Sequence, residues 1–429
     1  MIKKGLIVFT LLVSMSVFSQ RTVSSPYSFF GVGEEFRSRT VEQINMGGLG
    51  AAYNSNYYLN LANPAANAYL RYTTYTFGLL NNDLTIEDSA GKQSTSSTSL
   101  SYFAIAFPIG DKAGANFGLQ PVSSVGYSLL NNTYDASDEL IEVTQFQGNG
   151  GLNRIYGSFG IFATKNLSLG VEGSFIFGTI ENSIVNQRAN VQLATKNEEI
   201  ANIKGGDLKV GVQYKKELKN KVQIDLGATF KLSSTYDVSG REYLFSLSAG
   251  LSGVEISRDT VYDESLDGKI INPLETVLGV GVGKENKWYA GAEYEFQDAL
   301  SSNGYLNETN AAYRYGKSNR ISVGGFYLPN LNALDGYWKR IKYSAGVRFE
   351  DTGLLVNASS TSNTFTSIKD FGISFGLSMP LGRKLSNLNL GVEYGQRGTT
   401  DNNLIKENYF NLRMSLSLSD LWFIKRRID

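Results

Sequence analysis

The side chains best able to do chemistry here are carboxylates, because the sequence has no His and no Cys. Glu293 and Glu295 are two residues apart, a spacing that puts both on one face of a strand and would suit acid–base work. Cationic residues on neighbouring segments make the pair read instead as salt-bridged, inward-facing groups. With neither imidazole nor thiolate there is no Ser-His-Asp triad, no Cys nucleophile and no His-ligated metal. Gly279, Gly281 and Gly283 before Lys284 suggest a phosphate loop. They alternate within a strand and end in a turn, whereas such a loop must open a helix. Asp259, Asp263, Glu264 and Asp267 carry oxygens for a divalent cation but lack the ordered spacing of a calcium loop. The expectation is therefore no enzyme, no catalytic residue, no metal and no cofactor. Lys plus Arg balances Asp plus Glu at 40 each, so no overall field draws the chain to nucleic acid.

The elements that carry these residues alternate with period two. In Val222, Ile224, Leu226, Ala228, Phe230 and Leu232 every second side chain is apolar, with Gln223, Asp225, Gly227, Thr229 and Lys231 between them. Segments around Trp288 to Gln297, Leu388 to Arg397 and Phe410 to Leu418 repeat the pattern. About ten residues of such alternation let a tilted strand cross a bilayer. Strands are expected at 72–82, 97–108, 115–130, 152–164, 167–180, 205–217, 222–235, 274–283, 287–297, 319–328, 340–351, 368–379, 387–397 and 406–418. Tight turns at Lys165-Asn166, Leu218 to Lys221, Lys284 to Asn286 and Leu381 to Ser386 alternate with longer connections, the longest being 236–273.

This is the pattern of an all-β, antiparallel transmembrane barrel with both chain ends in the periplasm. The inward set includes Glu172, Lys209, Asp225, Lys231, Glu295, Arg348, Glu393 and Arg413, which a dry sandwich core would not hold but a hydrated lumen would. Lys3 and Lys4 before an apolar run to Phe18 predict an export signal over residues 1–19, and hence an outer-membrane location. Residues 20–71 are not strand-like and are rich in Gly, Asn, Tyr and Ala; they predict a hatch inside the barrel formed by 72–429, because fourteen strands leave a lumen to fill. Trp422 and Phe423, followed by Lys425 to Arg427, fit an interfacial aromatic girdle with a basic end.

Met46-Gly47-Gly48-Leu49-Gly50-Ala51-Ala52, then Asn63-Pro64-Ala65, then fourteen strands, resemble the FadL-type outer-membrane transporters, particularly those of Bacteroidota. The resemblance implies a hatch motif of Met46, Gly47, Gly48, Gly50, Asn63, Pro64 and Ala65. It also implies passive transport of small hydrophobic compounds with a lateral exit at a kinked third strand, where Gly118, Pro121 and Gly126 lie. Proline has no amide hydrogen, so Pro121 independently predicts a bulge there. The acidic pair common between the two motifs in transporting relatives is absent, since Asn54 to Asn60 carry only Asn, Ser, Tyr and Leu. Barrels similar to PorV form a related branch, which implies the alternative of a non-transporting accessory or plug subunit of a larger complex such as the type 9 secretion translocon. The partners expected are outer-membrane lipid, either hydrophobic small molecules or a large outer-membrane complex, and the outer-membrane assembly machinery during biogenesis.

Overall fold

A computed structural model describes residues 25–89, 91–249, 255–305, 312–357, 364–382 and 386–420. The expected export signal and the girdle at Trp422, Phe423 and Lys425 to Arg427 lie outside the described residues.

The chain forms a closed antiparallel barrel of fourteen crossing strands. They are β1 (Thr73–Glu87), β2 (Lys92–Ile109), β3 (Ala113–Tyr134), β4 (Leu140–Phe162), β5 (Leu167–Arg188) and β6 (Ala194–Glu217). Four more are each broken once: β7 (Val222–Lys231 and Ser234–Ala249), β8 (Glu255–Asn272 and Glu275–Lys284), β9 (Trp288–Gln297 and Ser301–Asn303) and β10 (Tyr313–Tyr315 and Ser318–Tyr327). The wall is completed by β11 (Lys342–Val356), β12 (Thr366–Pro380), β13 (Asn387–Gly398) and β14 (Lys406–Asp420). Closure comes from β14 against β1, a ladder running from Lys406 opposite Glu87 to Asp420 opposite Thr73. No free sheet edge remains along that seam, as a bilayer demands.

Burial is inverted relative to a soluble protein. In β7 the apolar Ile224 and Leu226 are 37% and 47% exposed, while Asp225 and Thr229 are 4% and 3% exposed. Phe117, Ile155, Phe175, Val280, Val323, Phe375, Tyr394 and Phe410 likewise point outward on their strands. Only lipid makes an outward apolar band and an inward polar set favourable together. The protein is an outer-membrane barrel embedded in lipid.

One expectation needs correction. The stretch 236–273 is not a long loop, because Ser234–Ala249 pairs with Glu255–Asn272 from Ser234 opposite Asn272 up to Ala249 opposite Glu255. β3 to β6 also run beyond their expected outer ends, with β6 beginning at Ala194 rather than near 205. At a rise of about 3.3 Å per residue these strands outreach the bilayer core and stand above it. The alternation fades there because both faces of the extensions meet water, and the aspartates and glutamate at 259–267 belong to this exposed strand.

Candidate functional site

Residues 25–71 run through the lumen, and two local signals fix their shape. Thr40 and Gln43 form a reciprocal capping box: Gln43 N donates to Thr40 Oγ1 (3.4 Å) and Thr40 N to Gln43 Oε1 (2.9 Å), which starts the helical turn Val41–Ile44. Gly47 and Gly48 then take φ of 74° and 92°, the left-handed region where only Gly is unstrained, and turn the chain away. In Asn63-Pro64-Ala65 the Asn Oδ1 accepts from Ala65 N (3.0 Å) and Pro64 opens the 3₁₀ segment Pro64–Tyr69. The second motif is thus a helix cap. Its Asn63 Nδ2 also donates to Ala51 O (2.7 Å), tying the two motifs together.

The barrel wall is shaped around this plug by glycines. A Cβ on Gly227 would lie 1.9 Å from Ala51 O, one on Gly170 2.3 Å from Ala65 N, and one on Gly346 2.1 Å from Gly47 N. Gly114, Gly160 and Gly211 approach Asn67, Pro64 and Asn63 as closely, and Gly376 and Gly391 flank the Asn45 side chain. Four of these form one row across β3 to β6, since Gly114 pairs with Gly160, Gly160 with Gly170 and Gly170 with Gly211.

Charged groups lock the contact. Arg39 is buried and bonds Glu293 Oε1 at 2.7 Å, and its Nε donates to Gly48 O at 2.7 Å. Glu293 Oε2 accepts from the amides of Gly50 (2.8 Å) and Ala51 (2.7 Å). Arg37 bonds Glu295 and Glu350, both at 3.2 Å, and Arg320 donates to Gly47 O at 3.1 Å. The Glu293 and Glu295 pair is therefore a clamp on the plug. Glu42 accepts from Asn389 Nδ2 (2.8 Å) and Ser417 Oγ (3.2 Å), and burial raises its carboxyl above the usual range. All eight charged residues expected to face inward do so, with Glu172 held between Arg154 (2.9 Å) and Lys209 (3.0 Å), and Arg348 and Arg413 both on Glu393.

Toward the outer mouth lies the turn Pro26–Phe29. Phe29 packs edge-on against Tyr127 and Phe146, Phe30 against Tyr313, and Tyr27 Oη donates to Ile405 O (2.5 Å). Beneath it lies a chamber of about 230 Å³ whose lining includes Arg37, Arg320, Arg348, Glu350, Asp370, Arg397, Glu407 and Arg413. Its lining mixes these charged groups with apolar ones, among them Phe30, Phe36, Leu80, Leu84, Leu354 and Ile368.

The chamber adjoins the expected lateral exit, with Pro121 in its lining. The register of β3 against β4 shifts between Pro121 and Ser123, the bulge that proline predicts. The ladder between β2 and β3 ends at Phe103 opposite Leu119. Just beyond, the short strand Glu34–Glu35 of the plug pairs with Ser124 and Ser123. The amide of Gly126 donates to Ser28 Oγ (3.1 Å), and a side chain on Gly118 would strike Tyr156. Of the motif residues, Met46 is fully buried against the wall at Gly324. Sequence reasoning missed Arg39, Asn45 and the wall glycines. Among the described residues no group of three or more His, Cys, Asp or Glu could hold a metal.

A sequence profile described as BamG matches residues 1–429, the whole chain. The chain belongs to the BamG family. No curated protein matches this BamG-family sequence. Solved structures share the fold at low identity. A FadL homologue of Pseudomonas aeruginosa is similar at 11% identity and a TM-score of 0.60, over 91% of this chain and 100% of that one. The Pseudomonas putida toluene transporter TodX is similar at 14% and 0.58, over 91% and 99%. The monoaromatic hydrocarbon channel CymD is similar at 14% and 0.55, over 91% and 99%. These likenesses concern the fold of the BamG-family barrel, not its cargo.

Proposed function

We propose that the protein is a non-transporting accessory subunit of a larger outer-membrane complex, with a permanently sealed lumen. The observation that carries this reading is the fit of plug to wall. Backbone meets backbone at the wall glycines, and buried Arg39 holds Glu293, which itself caps the amides of Gly50 and Ala51. A hydrophobic-compound channel needs a continuous apolar pocket. The chamber here is not continuously apolar: Arg37, Arg320, Arg348, Arg397 and their carboxylate partners share its lining with the apolar residues, and an apolar solute would not compensate their desolvation. Full-length membership of the BamG family, beside a likeness of only 11–16% identity to a FadL homologue, a toluene transporter and a monoaromatic hydrocarbon channel, supports the same side.

The second reading is passive transport of small hydrophobic compounds, with Gly118, Pro121 and Gly126 shaping a lateral exit. The end of the β2–β3 ladder beside Pro121, next to the chamber, favours it. Purification in mild detergent with identification of copurifying chains separates the two. The accessory reading expects a stoichiometric partner and names the complex, whether the type 9 translocon or another assembly. It fails if the protein is solitary and liposomes containing it take up toluene in a manner that Pro121→Val abolishes.

A further inference from the structure

We infer that the protein binds a carboxylate in a small pocket at the short-turn, periplasmic end of the barrel, with Lys342 as the group that receives it. The inference concerns a face that neither reading of the lumen uses, and it stands whichever of them holds.

Lys342 opens β11. It is 3% exposed, and no group among the described residues accepts a hydrogen bond from its ammonium. What surrounds it is aromatic. Nζ lies 3.7 Å from the centre of the Tyr58 ring, 5.0 Å from that of Phe326 and 6.0 Å from that of Tyr53. Ring faces attract a cation through their quadrupole, which fixes where the ammonium sits, but they leave its N–H donors without an acceptor. A buried charge held this way costs desolvation that a hydrogen-bonded counter-charge offsets.

The carboxylates nearby are already taken. Asp225 accepts from Asn54 Nδ2 (3.3 Å), Lys215 donates to Asn54 Oδ1 (3.0 Å), and the two stand opposite each other in the β6–β7 ladder. Glu285 accepts from Asn56 Nδ2 (3.0 Å). Glu42 acts on Lys342 from beyond ion-pair distance and is itself bonded to Asn389 and Ser417. The pocket that Lys342 borders thus sets three lysines, Lys215, Lys284 and Lys342, against two carboxylates, Asp225 and Glu285. Its other walls are chiefly aromatic and include Tyr57, Trp288 and Tyr289. Asn54 to Tyr57 of the plug and the turn from Lys284 to Asn286 reach solvent at its rim. Its volume is about 60 Å³, close to twice the roughly 30 Å³ of a water. One excess positive charge, apolar walls and that volume fit a singly charged, planar anion on a short aliphatic stem, the carboxylate of a small acid or of an Asp or Glu side chain. A phosphate group brings further negative charge that no free cation here balances.

Trp288 reports on the pocket once Trp338 and Trp422 are replaced by Phe. The full-length protein in mild detergent is titrated at fixed ionic strength with acetate, with acetyl-Gly-Glu-Gly-amide, whose only carboxylate is the side chain, with its Gln counterpart and with inorganic phosphate. The expected result is a saturable change in Trp288 emission with a carboxylate and none with the Gln peptide or phosphate. Saturation by acetate alone assigns a small free acid, and saturation by the Glu peptide assigns an acidic side chain of a polypeptide. Lys342→Met should weaken binding roughly tenfold or more, the loss of a charged hydrogen bond, while Lys339→Met on the neighbouring turn leaves it unchanged. Lys342→Gln, which keeps a polar group of similar reach, serves if the Met variant loses heat-resistant gel mobility. No saturable change with either carboxylate, an equal response to the Gln peptide or phosphate, or undiminished binding by an assembled Lys342 variant overturns the inference.

Discussion

Replacing Arg39 by Met should free the plug without unfolding the barrel. Arg39 is 8% exposed and Glu293 6% exposed, so the pair is out of water, and removing one partner leaves a buried, uncompensated carboxylate. Such a loss costs about 3–5 kcal/mol. Glu293 keeps the amides of Gly50 and Ala51, which sets the expectation at the lower end. About 3 kcal/mol raises the open population roughly 150-fold, since each ~1.4 kcal/mol is tenfold. The ladder of β14 on β1 is untouched, so heat-resistant gel mobility should persist. Single-channel recording in planar bilayers should show frequent openings absent from the wild type, and protease should cut between Ser38 and Asn63 in liposomes. Arg39→Met with Glu293→Gln removes both charges and leaves an amide oxygen for Gly50 and Ala51, so it should be milder than Arg39→Met alone. An Arg39→Met protein as silent and protease-resistant as the wild type, or a double variant that leaks more, would refute the clamp.

Gly227→Val should displace the plug or block assembly, because a Cβ there falls 1.9 Å from Ala51 O, whereas Gly173→Ala, with nothing within 4 Å, should match the wild type in gel mobility and protease resistance. The carboxyl of Glu42 is raised chiefly by burial, so its contribution is present at low pH and is lost as pH rises through the raised value. Glu42→Gln should therefore gain thermal stability over the wild type as pH increases, and equal gains at all pH values would contradict the assignment. Asn63→Ala removes a cap and a tie to Ala51, costing about 1 kcal/mol of plug docking, read as faster proteolysis at unchanged barrel melting. Val280→Arg on the lipid face should cost about 2–4 kcal/mol in a folding titration into lipid vesicles, if it lies near the bilayer centre.

How much of this could be read from the sequence depends on which solvent each residue meets. Lipid outside and polar groups inside force strict alternation, so Ile224 and Leu226 against Asp225 and Thr229 declared both strand and face before any coordinates. Above the membrane that constraint ends, and Ser234–Ala249 and Glu255–Asn272 looked like loop although they pair along their length. The two motifs of the plug were visible, but their physical content was not. Asn63 as a cap and Gly47 as a left-handed turn are local and could be argued from residue type; the partnership of Arg39 with Glu293 spans 254 positions and leaves no local trace. The wall glycines carried a signal that went unused. Gly211 and Gly227 sit in the inward phase of their strands, where a side chain would normally fill space, and that absence marks a close backbone neighbour.

Those glycines also bear on what the fold is for. A hatch that opens in each transport cycle must gain as much on leaving the wall as it loses, so its contacts should be few and exchangeable with water. Here the plug meets the wall through backbone packed too closely to admit a Cβ, through a carboxylate shared by two plug amides and an arginine, and through Asn45 seated between Gly376 and Gly391. None of these can be replaced by a passing apolar solute.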